Sequence, residues 1–104
     1  MGKLEREIEN QLVAWAKARG WLGLKFTPMG DRGWPDRIFI KNGTHIWLEL
    51  KAPGKAPSKL QLHRRAQLMK HGAIIHWTDD LGKAKQLLEQ YDKPPIRERL
   101  KDGN

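Results

Sequence analysis

The chain contains no cysteine, which excludes disulfides, thiolate metal ligands and a cysteine nucleophile. No apolar run approaches the roughly 20 residues that a membrane-spanning helix needs, so no membrane partner is expected. The opening residues, Met1-Gly-Lys-Leu-Glu-Arg-Glu7, are charged and helix-like and lack the apolar stretch of a secretory signal. Gly2 suits a myristoylation signal, but Arg6 stands where that signal takes Ser or Thr. An intracellular, cytoplasmic location is the expectation, or the host cytoplasm for a viral protein. Acidic residues are also few, 12 Asp and Glu against 20 Lys and Arg, for a formal charge of +8. That excess favours a polyanionic partner, although many basic proteins bind nucleic acid only adventitiously.

What is present describes one ordinary domain. Hydrophobic residues make up 38% and charged residues 31% of 104 residues, a balance that argues against general disorder and leaves room for a single modest core. Leu4, Ile8, Leu12, Trp15 and Ala16 recur at helical spacing before Gly20, predicting an amphipathic helix over 4–19. A short strand is read over 21–26, then a loop rich in Gly and charge over 29–35. The apolar runs 36–41 and 45–51 flank Asn42-Gly43, the dipeptide that best tolerates the positive φ angles of a hairpin turn. A Pro- and Gly-containing loop covers 52–57. Ser58 then looks like the cap of a helix reaching His71, with Gly72 as its stop. A strand over 73–77 and a last helix carrying Leu81, Ala84, Leu88 and Tyr91 complete the pattern. The order α-β-β-β-α-β-α suits an α/β (α+β) fold, a mixed sheet flanked by helices. Residues 1–91 are read as the domain and residues 92–104, which have two prolines and no period, as a basic tail.

The second hairpin strand carries the first chemical signal. Side chains alternate across a strand, so Trp47, Glu49 and Lys51 share one face while Ile46, Leu48 and Leu50 share an apolar one. Glu-x-Lys alone reads more readily as a surface ion pair on a solvated sheet face. Asp36 changes the balance. Counting outward from the Asn42-Gly43 turn, Lys41 faces Thr44 and Asp36 lands opposite Glu49, within about one residue. Two carboxylates held close repel and raise a pKa unless a cation sits between them. A hard oxygen-liganded ion such as Mg²⁺ resolves that conflict, and phosphodiester hydrolysis needs such an ion. Lys51 would then orient or deprotonate water, or stabilise the charge of the transition state.

On a helical wheel that starts at Ile8, Glu5 falls at about 60° and Glu9 at about 100°, inside the apolar sector of the first helix. A buried carboxylate needs a partner or a metal. Glu9, deeper in the helix, is the better candidate for completing a metal site, and Glu5 the alternate. The Ser58-Lys-Leu-Gln61 segment reads as a capping box, which would account for Gln61 structurally. A Gln at a helix start is also poised to orient water or a phosphate oxygen.

Together, Gly33-Trp-Pro-Asp36, Glu49-Leu-Lys51 and Ser58-Lys-Leu-Gln61, preceded by a Glu-bearing helix, closely resemble the virus-type replication-repair nuclease (VRR-NUC) domain, a branch of the PD-(D/E)xK superfamily with a restriction-endonuclease-like sheet. The likeness spans about residues 4–77. It implies that Asp36 and Glu49 bind Mg²⁺ or Mn²⁺ with help from the main-chain carbonyl of Leu50. It further implies that Lys51 is the catalytic lysine, Glu9 the helix-borne acid and Gln61 a supporting polar residue. Stand-alone members resemble Holliday-junction resolvases in fold and tend to be homodimers, which implies a branched DNA substrate such as a four-way junction and a second copy to grip it. Trp34 departs from the small aliphatic residue common before Pro-Asp.

Other candidates are weaker. Trp34, in the loop beside Asp36, is the tryptophan with a substrate role in view, whereas Trp15, Trp47 and Trp77 read as core or dimer contacts. Arg37, Lys55, Lys59, Arg64 and Arg65 are candidate nucleic-acid contacts, with a solvated helix face the equal alternative for those on or near the second helix. The four histidines show no metal-ligand spacing. Two rivals stand beside the junction nuclease. One is a nickase or restriction-like enzyme, and the other a non-catalytic basic nucleic-acid-binding module.

Overall fold

The hairpin turn forms as the Asn42-Gly43 pair dictates, with φ of 51° and 82° at the two positions, the combination that lets a two-residue turn match the twist of its strands. The structure, a computed structural model, describes residues 3–92. The elements are α1 (Lys3–Ala18), β1 (Leu22–Lys25), β2 (Arg37–Lys41), β3 (Thr44–Leu50), α2 (Lys59–Lys70), β4 (Ile74–Thr78) and α3 (Leu81–Gln90). This is the expected order. The stretch read as a tail lies outside the described residues apart from Asp92, whose carboxylate pairs with Lys41 Nζ at 2.6 Å.

The strands form one four-stranded sheet in the order β1-β2-β3-β4. β1 and β2 pair antiparallel, as do β2 and β3, while β4 returns parallel to β3 after the α2 crossover that a parallel pair requires. Alternation then sorts the side chains into two layers. Phe39, Ile46, Leu48 and Leu50 are buried with Leu12 and Ala16 of α1 and Ala84 and Leu88 of α3. The helical stripe read in α1 is the core stripe from Ile8 onward, while Leu4, its first member, is exposed. α2 carries no buried residue and touches the sheet at β4, where its Gln61 and Arg65 border a pocket with Ile75 and Trp77. Among the described residues no helix is long and apolar enough to cross a membrane.

The sheet's second face is only partly covered. Leu22 and Leu24 of β1 are exposed and pair with Ile40 and Ile38, while Trp47 meets Phe26 edge-on at 5.0 Å. Asp36 and Glu49 lie on this same face, where Glu49 borders residues of α2.

Candidate active site

Register brings the two acids together. Arg37 pairs with Leu48, so the next step outward sets Asp36 across from Glu49, as the count from the turn predicts. The Phe26 amide donates to the Asp36 carbonyl at 2.7 Å, so the end of β1 anchors Asp36 just past the ladder. One step further, buried Pro35 falls across from Leu50. Asp36 turns its main-chain groups toward β1, so Leu48 and Leu50 turn theirs toward β2, where proline has no N–H to give. The Leu50 carbonyl thus lacks the donor that a longer ladder would supply, and it lies at the rim the acids share.

The electrostatics are those of crowded carboxyls. Burial holds Asp36 above the usual carboxylate range and the charge of Glu9 adds to it, while Lys25, Lys51 and Arg37 oppose the shift. Glu49 is only 6% exposed. Burial, then Asp36, pushes its carboxyl up to about 7, Glu5 adds in the same direction, and Lys51 opposes. The Lys51 amine stands 3.6 Å from Glu49 Oε2.

The two helix-borne acids have different surroundings. Glu9, 3% exposed, accepts from Arg37 Nε at 2.5 Å. A buried carboxylate needs a cation, and here it finds one across the core face of the sheet. Arg37, expected as a nucleic-acid contact, is thereby turned into the fold. Among the described residues no three of Asp, Glu, His or Cys cluster closely enough to hold one ion, and the charge of Glu9 is felt at Asp36. Glu5 has no ion-pair partner among the described residues, and its charge reaches Glu49.

Gln61 forms the capping box read from the sequence. Ser58 N–H donates to Gln61 Oε1 at 2.9 Å and Gln61 N–H to Ser58 Oγ at 3.1 Å. The same side chain borders a shallow pocket with Gly33, Pro35, Glu49, Arg65 and Trp77, so the cap and the site are adjacent. Arg65 turns a buried Nε with no hydrogen-bond partner toward this region. Lys55 and Lys59 are exposed. Arg64 and Trp34 are bound to each other, the guanidinium lying 4.7 Å from the ring centroid.

No family model matches the chain. Two solved structures share its fold. One, described as a VRR_NUC domain, superposes with a TM-score of 0.78 at 23% identity, covering 86% of this chain and 99% of its own. The other, a VRR_NUC domain protein, gives 0.74 at 21% identity over 91% and 93% of the two chains. A curated protein of Acyrthosiphon pisum secondary endosymbiont phage 1, named "Putative nuclease p44", is 39% identical over 81 residues, 75% of this chain and 87% of that relative. The chain belongs to the VRR-NUC family.

For a VRR-NUC protein the donors at the rim are of the right kind. Asp36, Glu49 and the Leu50 carbonyl are hard oxygens, and the upward shifts of both carboxyls are what a divalent cation would relieve. Two contributors to this VRR-NUC site were missed from the sequence, Lys25 and the pairing role of Arg37. The pairing of Lys25 with Arg37 shows the signal that was available, since the end of β1 must meet the start of β2 in such a sheet.

Proposed function

We propose that this VRR-NUC nuclease is a divalent-metal-dependent endonuclease acting on DNA, with branched structures such as four-way junctions as its preferred substrates. One observation carries the reading: Asp36 and Glu49 meet across one ladder step with the Lys51 amine 3.6 Å from Glu49. Crowding two acids at a rim is unfavourable in itself, and it is useful only where a cation is shared.

Asp36, Glu49 and the Leu50 carbonyl would hold Mg²⁺ or Mn²⁺, which when bound polarises the phosphate and lowers the pKa of water. The protein's own groups do the rest. Lys51 orients the attacking water or meets the negative charge that grows on the phosphoryl oxygens. Water gives up a proton to solvent as its oxygen adds to phosphorus in line, the bond to the leaving sugar oxygen breaks, and that oxygen takes up a proton. Gln61, held by its cap, offers a fixed polar edge to the same pocket. Lys55, Lys59 and Arg65 supply sequence-independent grip on phosphates.

A homodimer belongs to the same reading, because a symmetric cut across a junction needs two sites. The apolar strip of Leu22 and Leu24 on the edge strand supports a second copy as its cover.

The test is cleavage of labelled linear duplex, flap and four-way-junction DNA with Mg²⁺, Mn²⁺ or EDTA, comparing wild type with Asp36→Asn and Lys51→Ala. Paired, metal-dependent nicks in junctions, lost in both variants, are expected. Cuts at fixed sequences in linear duplex would instead favour a restriction-like enzyme. Binding without cleavage of any substrate would favour a basic binding module.

A further inference from the structure

The loop over residues 29–36 carries Asp36 at its end, and one side chain of α2 fastens it. Arg64 Nε donates to the Arg32 carbonyl at 3.0 Å, Nη2 to Asp31 Oδ1 at 2.7 Å, and Nη1 to Gln67 Oε1 at 3.0 Å. The indole of Trp34 covers the guanidinium at 4.7 Å and is itself fixed by donating from Nε1 to Asp31 Oδ2 at 2.9 Å. Beneath this knot the loop lies directly on the helix. Gly33 adopts a φ of 87°, and a Cβ there would come within 2.6 Å of Leu60 Cγ and 3.1 Å of Arg64 Cγ. The buried Pro35 then leads into Asp36.

We propose that Arg64 is a positioning residue: with Asp31 and Trp34 it fastens the 29–36 loop to α2 and so sets Asp36 opposite Glu49, and it does not grip DNA. This rests on the nuclease reading above. The guanidinium satisfies both a backbone carbonyl and a carboxylate, and one of its faces is covered by the indole. Its Nε and one N–H of each Nη are already engaged within the protein. The planar fork is essential, since a lysine ammonium has three donors at one nitrogen but neither the spread of a rigid fork nor a plane to stack. The knot also joins the two halves of the site, because Gln61 stands on the same helix one turn earlier.

Three variants, Arg64→Gln, Arg64→Lys and Asp31→Asn, distinguish positioning from DNA contact. Asp31 is half exposed, so its variant keeps the fold testable. Amide hydrogen exchange over 29–36 is measured in the free protein. The kcat and KM are measured on junction DNA, and DNA affinity against salt is measured in EDTA. The expected result is faster loop exchange in all three variants and kcat lowered by about 10- to 100-fold. The KM should stay within about twofold of wild type, the salt slope should not change, and the Arg64→Gln/Asp31→Asn pair should be no worse than Arg64→Gln alone. The proposal is overturned if Arg64→Lys restores wild-type behaviour or if Arg64→Gln lowers the salt slope by about 0.9. It is also overturned if Asp31→Asn tightens DNA binding with loop exchange unchanged. A wild type that cuts no substrate would remove the nuclease reading alone, and hydrogen exchange would still decide whether Arg64 fastens the loop.

Discussion

Asp36 and Glu49 stand across from each other one step beyond the last β2–β3 ladder pair, and each carboxyl is shifted upward. The relationship follows from local causes. A two-residue turn fixes the register, alternation puts both acids on the face opposite the core, and Pro35 ends the ladder where they meet. Burial is the largest reason for both shifts, and mutual repulsion strengthens that of Glu49.

The first prediction concerns pH. Glu49 sits at about 7 in the folded chain against 4.5 ordinarily, so between those values the metal-free folded state binds more protons than the unfolded one. Stability from this group is therefore fully present below about 4.5 and is lost as pH rises through about 7. The loss is on the order of 2–3 kcal/mol. Thermal melts in EDTA should give a lower Tm at pH 8 than at pH 5, and Glu49→Gln should flatten that difference. A wild-type Tm that rises steadily over this range would contradict it.

Lys51→Met removes the cation 3.6 Å from Glu49. Cleavage should fall by about 100-fold or more, while DNA affinity in EDTA changes little. Removing the lysine also lets the Glu49 carboxyl rise further, so Mn²⁺ binding in this variant should need a higher pH than in wild type. Retained cleavage would show that the lysine is a surface charge.

Arg37→Met should behave as a folding mutation. It leaves Glu9, 3% exposed, without its cation, and stranding a buried charge costs about 2–4 kcal/mol when the pair is partly reachable by water. Urea unfolding should show that loss, and the double variant Arg37→Met/Glu9→Leu should recover much of it. If Arg37→Met instead keeps full stability and lowers the salt slope of DNA binding, the guanidinium faces DNA.

Gly33→Ala forces a side chain into a left-handed φ of 87° and against Leu60. A destabilisation of about 1–3 kcal/mol is expected, with a larger relative loss of cleavage, because the strain falls on the loop that ends in Asp36. Equal losses in stability and cleavage would place the effect in folding alone.

How much of this was legible in the sequence depends on how local its cause is. The Asn42-Gly43 turn, the Asp36–Glu49 approach and the Ser58–Gln61 cap each arise within a few residues of chain or one hairpin. They were readable for that reason. Glu9 of α1 was readable as buried, but its partner was not. Whether Glu9 meets a metal or Arg37 depends on how the helix lies across the sheet. Arg64 is the clearest case. On the helix it reads as one more exposed cation, and only the fold of a loop 32 residues earlier reveals its bonds to Arg32 and Asp31.

The shared-cation claim is tested most directly by titrating Mn²⁺ into the DNA-free protein at pH 8, with free ion followed by electron paramagnetic resonance, for wild type, Asp36→Asn and Glu49→Gln. Saturable binding in wild type, weakened at least about tenfold in each folded variant, is the predicted result. Equal affinity in all three proteins would contradict it.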